Sequence, residues 1–186
     1  MSGQEGAGGL SGEPVPGAIP PTATVLGFDV GSRRIGVAVG SPFGDGGRAL
    51  DVVEVREGIP DWAALDRIRR EWQPGGLVVG DPLTLDEGDQ PARVRAHAFA
   101  RQLRTRYGVP VVLVDERSSS REAARQFATE RASGRKRRRD ATALDAMAAA
   151  VIVGRWLTAP ADAIEIDRLP PATGEGDGKG DTDGPA

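Results

Sequence analysis

The sequence contains no cysteine and only one histidine, His97, among its 186 residues. Without cysteine the chain forms no disulfide and offers no thiolate to a metal, and one histidine is too few for a multi-histidine zinc site. Any bound metal ion must therefore be held mainly by oxygen ligands. Such ligands are typical of Mg²⁺ or Mn²⁺.

The chain also lacks an apolar run of transmembrane length, and its N-terminus lacks the basic and apolar stretches of a secretory signal. We therefore expect a cytoplasmic protein with no membrane partner. Aromatic residues are scarce, at 4% of the sequence. If the protein binds nucleic acid, stacking of bases on aromatic rings is expected to contribute little.

The formal net charge of -3 conceals an uneven distribution of charge. Residues 1–22 carry a net charge of -2 and residues 160–186 carry -5, which leaves +4 on the part between them. Both ends are rich in glycine and proline, a composition typical of disorder. We predict a disordered leader over residues 1–22, one folded domain over 23–158, and a disordered acidic, glycine-rich tail over 159–186.

The predicted domain begins with two apolar arms around a glycine turn at Gly31, which is typical of a β-hairpin. A third strand follows, and helices then alternate with strands in the order β-β-β-α-β-α-β-α-α. This order predicts an α/β fold of the ribonuclease H-like type, with a mixed five-stranded sheet in the order 3-2-1-4-5 flanked by helices. The first strand, and Asp29 within it, would then lie at the centre of the sheet.

Three acidic residues stand where the local pattern favours other residue types. Asp29 interrupts the apolar first strand, Glu116 follows the apolar fifth strand, and Asp145 lies beside the apolar face of the last helix. Taken alone, Asp29 fits a turn-capping role and Asp145 fits a helix-border position. Taken together, the three carboxylates predict a metal site, because such a cluster repels itself unless cations bind. Two divalent ions about 4 Å apart would suit in-line cleavage of a phosphodiester.

Four segments of the chain carry distinctive motifs, over residues 26–39, 76–83, 111–117 and 145–149. In order and spacing they resemble the motifs of the YqgF-type family of pre-16S rRNA nucleases and Holliday-junction-resolvase-like proteins. The resemblance covers roughly residues 24–158. It implies a ribonuclease H-like fold, magnesium-dependent nuclease chemistry, and a role in maturing the 5′ end of the small-subunit ribosomal RNA precursor.

By position, the resemblance assigns the family's catalytic and metal-binding roles to Asp29, Glu116 and Asp145, with two Mg²⁺ or Mn²⁺ ions as the implied cofactor. Asp140 competes with Asp145 for the third role, and the alanines that follow Asp145 at the family spacing favour Asp145.

The chain departs from the family pattern at several positions. Three serines at residues 118–120 replace the usual Leu-Thr-Thr, Gly154 stands where glutamine is common, and Asp81 replaces an apolar residue. None of these changes removes a proposed ligand. Whether Asp81 or Asp115 assists metal binding stays open at this point.

A basic segment at residues 135–139 precedes the last predicted helix. The simplest explanation is that these charged side chains are exposed to water where the helix begins, but their position just before a helix with a candidate catalytic acid favours contact with phosphates. We expect the shape and backbone of a nucleic acid to be recognised, with little reading of its sequence. The candidate nucleic-acid-binding residues are Arg33, Arg34, Arg117, Arg135, Lys136, Arg137, Arg138 and Arg139.

Other functions are compatible with parts of the pattern. A resolvase would act on branched DNA, and a noncatalytic ribosome-assembly factor would bind RNA on the same fold. The first motif also resembles the phosphate-binding hairpin of actin, Hsp70 and sugar kinases, but those proteins need two such domains. The sequence leaves open whether the substrate is RNA or DNA, and whether the protein is a monomer or a homodimer.

The basic segment leads to a prediction about salt dependence. Changing Arg137, Arg138 and Arg139 together to glutamine should weaken nucleic-acid binding, because fewer counterions are released on association. The slope of log affinity against log salt should fall by about 0.7–0.9 for each phosphate that the protein no longer neutralises. Cleavage at saturating substrate should fall much less. An unchanged slope would mean that these side chains face away from the nucleic acid.

Overall fold

The computed structural model describes residues 18–83, 90–117 and 138–170. Within these ranges the chain forms one sheet with helices on both faces. The strands are β1 (Val25–Val30), β2 (Arg34–Gly40), β3 (Arg48–Arg56), β4 (Ile59–Pro60), β5 (Gly76–Leu83), β6 (Val111–Arg117) and β7 (Ile164–Glu165). The helices are α1 (Trp62–Trp72), α2 (Gln90–Tyr107) and α3 (Arg138–Thr158), followed by short 3-10 helices at Pro160–Asp162 and Ile166–Arg168.

The order of strands across the sheet is β4-β3-β2-β1-β5-β6-β7. Strand β1 pairs antiparallel with β2 and parallel with β5, and β5 pairs parallel with β6. The five long strands therefore follow the predicted order 3-2-1-4-5, and the mixed α/β fold is confirmed. Two strands of two residues each, β4 and β7, extend the sheet at its edges.

The predicted disordered tail needs correction over its first part. Strand β7 pairs antiparallel with β6, and Ile166 is buried in the core. The segment could not be recognised from the sequence, because its proline and acidic residues are typical of disorder and a strand of two residues is too short to show a periodic pattern. At the other end, Ile19 of the predicted leader packs against the core. Residues 1–17 and 171–186 lie outside the described residues, as do residues 118–137, where the first of the two consecutive helices at the end of the predicted order falls.

The alternation of side chains along the strands builds an apolar core on each face of the sheet. On one face, Leu26 and Phe28 pack with Phe99 and Leu103 of α2. On the other face, Val25 and other strand residues pack with the apolar side of α3. Each fully buried large side chain contributes about 1.5–3 kcal/mol. The central strands are thus held from both sides, which gives any polar group on them a fixed position.

Helix α1 begins and ends at the residues that its sequence indicates. The Asp61 carboxylate accepts a hydrogen bond of 3.1 Å from the backbone N–H of Ala64, as an N-cap does. Gln73 closes the helix in the left-handed conformation, with φ of 42°. Pro74 follows at once and prevents the helix from continuing.

Along the described part of the chain, no helix combines the length and the apolar character that crossing a membrane would require.

A polar network joins α1 to α2. The Asp66 carboxylate accepts hydrogen bonds from Arg106 Nη2 at 2.6 Å, Arg106 Nε at 2.9 Å and the Tyr107 hydroxyl at 2.8 Å. The bonds from Arg106, and then that from Tyr107, lower the pKa of Asp66 to about 2. Burial, and then the bond to Asp66, raises the pKa of Tyr107 above its usual value. The network therefore favours an ionised Asp66 in the folded protein.

The lowered pKa of Asp66 predicts an acid-dependent loss of stability. Because the folded pKa lies below the unfolded value, the contribution of Asp66 is present above about pH 4 and lost as the pH falls towards 2. Asp66→Asn should lower the melting temperature at pH 7 by about 2–4 °C, and this difference should shrink between pH 4 and pH 2. Asp45→Asn, in an exposed loop, is the control. A difference that stays constant down to pH 2 would contradict the assignment.

Candidate active site

Helix α3 lies directly on the sheet, and glycines make this approach possible. A Cβ atom at Gly36 of β2 would overlap the backbone carbonyl oxygen of Asp145. A Cβ atom at Gly27 of β1 would overlap the side chain of Val153. Any larger residue at Gly36 would push the helix backbone away from the strand, so this glycine sets the height of Asp145 above the sheet.

Asp29 lies on the α3 side of the sheet. It pairs with Gly36 across β1 and β2, and directly paired residues of antiparallel strands point to the same face. The residues that alternate with it, Leu26 and Phe28, belong to the core on the opposite face. Asp29 is only 5% exposed. The structure therefore places a buried carboxylate at the centre of the sheet, beneath α3.

Glu116 lies on the same face, two strands away. Its carboxyl carbon is 3.0 Å from the position that a Cβ atom at Gly80 would occupy, and the side chain of Ile152 from α3 borders that position as well. Val112 and Val114, which lie on the same side of β6 as Glu116, pack with α3. Glu116 is 8% exposed. Gly80 thus provides the space that the glutamate carboxylate needs beside α3.

Asp145 stands on α3, above β2. Its Oδ2 atom accepts a hydrogen bond of 2.7 Å from Nε of Arg34, the first residue of β2. Both partners are partly open to solvent, with side-chain exposures of 28% for Asp145 and 40% for Arg34. The structure therefore brings the three predicted acids to one face of the sheet, with the third engaged by an arginine.

We tested whether this face suits a divalent metal. Asp29, Glu116 and Asp145 supply carboxylate oxygens, the ligand type that Mg²⁺ and Mn²⁺ prefer. In the three described ranges, no group of three or more histidine, aspartate or glutamate side chains is gathered closely enough to hold a metal ion. The cation beside Asp145 is instead the Arg34 guanidinium. The donor chemistry thus fits a metal, whereas the carboxylates are not gathered around one point.

Asp81 occupies the opposite face. Its carboxylate contacts Arg93 Nε at 3.1 Å and His97 Nε2 at 3.0 Å, both on α2. It is among the most buried acids of the described residues, at 3% exposed. Asp115 pairs with Asp81 in register, and strand alternation puts its side chain on the face opposite to Glu116. Neither acid shares the α3 face with Asp29 and Glu116.

Arg155 ties α3 to the strand that carries Glu116. Its Nη1 atom donates a hydrogen bond of 2.7 Å to the backbone carbonyl of Asp115. Arg155 also lines an open cleft of about 800 Å³ between the end of β6 and the C-terminal end of α3. This bond joins the helix of Asp145 to the residue immediately before Glu116.

The predicted nucleic-acid-binding residues are located only in part. Arg33 is exposed in the turn between β1 and β2, next to Arg34. Arg117 ends β6, and Arg138 and Arg139 begin α3, but their side chains lie outside the described part of the structure. Residues 135–137 lie outside it entirely. Arg33 and Arg34 are thus the two candidate cations whose side chains can be located, both beside the turn that follows Asp29.

Sequence reasoning missed several residues that shape this region. Gly36 and Gly80 carried a usable signal, because an isolated glycine inside a strand indicates close approach of another chain segment. Arg155 carried no such signal, since its partner is a backbone carbonyl forty residues away. His97, the single histidine of the chain, contacts the Asp81 carboxylate through Nε2 at 3.0 Å, and no sequence pattern indicated this contact.

Comparisons with known proteins agree with the motifs. The sequence profile of a family described as "RuvX: Holliday junction resolvase" matches residues 23–159. A relative from Xanthomonas campestris pv. campestris (strain B100), named "Putative pre-16S rRNA nuclease", is 73% identical over 150 residues, covering 81% of this chain and 97% of the relative. A relative of the same name from Xanthomonas axonopodis pv. citri (strain 306) is 74% identical over 147 residues, covering 79% and 95%.

Among solved structures, a Thermus thermophilus RuvC structure aligns with 76% of this chain and 99% of its own, with a TM-score of 0.45 and 16% identity.

The close contacts at the glycines predict that alanine substitutions change the stability of the protein by different amounts. Gly36→Ala should destabilise the protein by about 1–3 kcal/mol, because the new methyl group meets helix backbone that cannot move alone. Gly80→Ala should cost less, since its neighbours are the ends of the Ile152 and Glu116 side chains. Gly154→Ala, with nothing within 4 Å, should stabilise α3 by about 0.5–1 kcal/mol. Urea unfolding measures all three. A Gly36→Ala protein as stable as wild type would refute the close packing of α3.

Proposed function

We propose that this chain, which belongs to the RuvX family of Holliday junction resolvases, is a metal-dependent endonuclease that hydrolyses phosphodiester bonds. The observation that carries the proposal is the pair of buried carboxylates, Asp29 and Glu116, on the sheet face covered by the helix of Asp145. Carboxylate oxygens held on rigid strands of one sheet face are the ligand type that divalent ions prefer.

In this proposal Asp29, Glu116 and Asp145 bind two divalent ions, either Mg²⁺ or Mn²⁺. When bound, the metal would activate a water molecule and stabilise negative charge on the scissile phosphate. The two strand residues contribute rigid positions, because β1 and β6 are packed from both faces. Asp145 contributes from a helix whose height is set by Gly36. Metal ligation tolerates little misplacement, so rigid supports of this kind favour it.

The arginines beside the first turn would hold the nucleic-acid backbone. Arg33 is exposed and Arg34 is partly exposed at the end of the sheet where β1 meets β2. Guanidinium groups bind phosphate oxygens through paired, charge-assisted hydrogen bonds. With 4% aromatic residues in the chain, recognition would rest on backbone and shape. Such contacts position the scissile phosphate over the acidic face.

The proposed substrate is the precursor of 16S ribosomal RNA, near its 5′ end. This assignment follows the names of relatives that are 73% and 74% identical to the chain. A four-way DNA junction is the second candidate, because the family description names junction resolvases. Membership of the RuvX family also argues against the alternative based on the phosphate-binding hairpin of actin, Hsp70 and sugar kinases. A noncatalytic assembly factor remains the competitor that a direct assay must exclude.

The site proposal is tested by replacing each acid with its neutral amide. Asp29→Asn, Glu116→Gln and Asp145→Asn should each abolish Mg²⁺-dependent cleavage and weaken Mn²⁺ binding, because each removes a ligand charge. Asp140→Asn is the matched control on the same helix and should retain both cleavage and Mn²⁺ binding. Circular dichroism checks that each variant is folded. Full activity in Asp29→Asn would remove the metal role of the central strand.

The substrate is tested by competition. A precursor RNA that spans the 5′ end of 16S rRNA and a four-way DNA junction should be supplied together with Mg²⁺, and the rates of cleavage compared. Preferential cutting of the RNA near the mature end supports the proposed function. Preferential and symmetrical cutting of the junction would favour the resolvase. Binding of RNA without cleavage, by a protein that takes up no Mn²⁺, would favour the assembly factor.

A further inference from the structure

The ion pair between Arg34 and Asp145 connects two segments that are far apart in the sequence. Arg34 starts β2 and Asp145 lies in α3, 111 residues later. The bond length of 2.7 Å is that of a charge-assisted hydrogen bond. The guanidinium donates to Oδ2, one of the two carboxylate oxygens through which Asp145 would bind a metal ion. A cation of the protein therefore already occupies part of the coordination space of Asp145.

We infer that Arg34 is an internal counterion that holds Asp145 until a divalent metal displaces it, and that the released guanidinium then binds a phosphate of the nucleic acid. The inference rests on the proposed function, since it requires Asp145 to bind a metal. It adds an order of events to that function: a metal ion binds Asp145 first, and Arg34 then binds a phosphate. Metal binding and phosphate binding are thus coupled through the Asp145 carboxylate.

The exposure of the pair makes it exchangeable. Asp145 is 28% exposed and Arg34 is 40% exposed on their side chains, and ion pairs open to water are weak because solvent screens them. The Asp81 carboxylate provides the contrast. It is 4% exposed on its side chain and contacts both Arg93 and His97, so breaking that cluster would leave a buried charge. Of these two pairs, only the one at Asp145 is suited to opening and closing.

The release needs movement of a side chain only. The backbone of Arg34 is fixed by pairing with Glu54 of β3, and the neighbouring carbonyl of Arg33 accepts a bond of 2.8 Å from the N–H of Val55. The freed Arg34 guanidinium, already 40% exposed in the ion pair, can turn towards solvent beside the exposed Arg33. An incoming phosphate is the new partner that this arrangement favours.

The first test measures Mn²⁺ binding to the metal-free full chain by electron paramagnetic resonance. Removing the competitor in Arg34→Gln should tighten Mn²⁺ binding by about two- to fivefold, the range expected for an exposed ion pair. Arg33→Gln removes the same charge one residue away and should stay closer to wild type, because distant exposed charges are screened. Arg34→Lys keeps a positive charge and should give an intermediate affinity.

A double-mutant cycle separates competition from a general effect on the fold. In the Asp145→Asn background the competitor and the metal no longer share a carboxylate. Arg34→Gln should therefore leave Mn²⁺ affinity unchanged in that background, although it tightens binding in the wild-type background. An equal tightening in both backgrounds would overturn the inference, because Arg34 would then act only through its charge.

The second readout is the ¹⁵N resonance of the Arg34 Nε–H group, assigned by its loss in Arg34→Lys. Adding diamagnetic Mg²⁺ to wild type should move this resonance towards that of a free arginine. The Asp145→Asn protein should show the free position before any metal is added. A resonance that does not respond to saturating Mg²⁺ would mean that the pair persists in the metal-bound protein, and would overturn the inference.

The outcomes also distinguish this inference from the proposed function. If wild type cleaves RNA and binds Mn²⁺ while Arg34→Gln binds Mn²⁺ no more tightly, the nuclease proposal stands and the counterion role of Arg34 is refuted. If wild type neither binds Mn²⁺ nor cleaves, both proposals are refuted together. Tighter Mn²⁺ binding with weaker RNA binding in Arg34→Gln is the combined result that we expect.

Discussion

The close packing of α3 on the sheet is the constraint on which the rest of the site depends. Gly36 lets the helix backbone at Asp145 lie directly on β2, and Gly80 leaves space for the Glu116 carboxylate beside Ile152. At Gly36 the neighbouring atoms belong to the helix backbone, so backbone atoms set the spacing between helix and strand there, whereas at Gly80 the neighbours are the side-chain ends of Ile152 and Glu116. The proposed metal site, shared between a helix and two strands, would need a fixed spacing of this kind.

The sheet separates the acidic residues by the face to which they point. Asp29 and Glu116 point to the α3 face, whereas Asp81 points to the α2 face and binds Arg93 and His97. The period of two along a strand makes this separation strict, since neighbours such as Asp115 and Glu116 must point in opposite directions. Asp115 and Glu116, although adjacent in sequence, thus lie in different environments, and Glu116 shares the α3 face with Asp29.

The ion pairs of the protein differ in how readily they can open. The Asp66 network is reinforced by two hydrogen-bond donors from α2 and lowers the pKa of its carboxyl to about 2. The Asp81 carboxylate is buried although its partner Arg93 is partly exposed, and loss of its partners would leave a buried charge. The Arg34–Asp145 pair is about as exposed as the Asp66–Arg106 pair but is joined by one hydrogen bond rather than several. Pairs of the first two kinds stabilise the fold, and a pair of the third kind can take part in binding equilibria.

The sequence by itself determined the family, the order of the five long strands, and the anomaly of an acid at Asp29. These features depend on local periodicity and on motifs, which are written in neighbouring residues. Only the tertiary structure decided that residues 164–165 form an edge strand, that Asp81 faces away from Glu116, and that Arg34 holds Asp145. Each of these depends on which residues meet after the chain folds. Contacts between residues as distant as Arg34 and Asp145 leave no periodic trace along the chain, because they arise from the packing of α3 on glycines of separate strands.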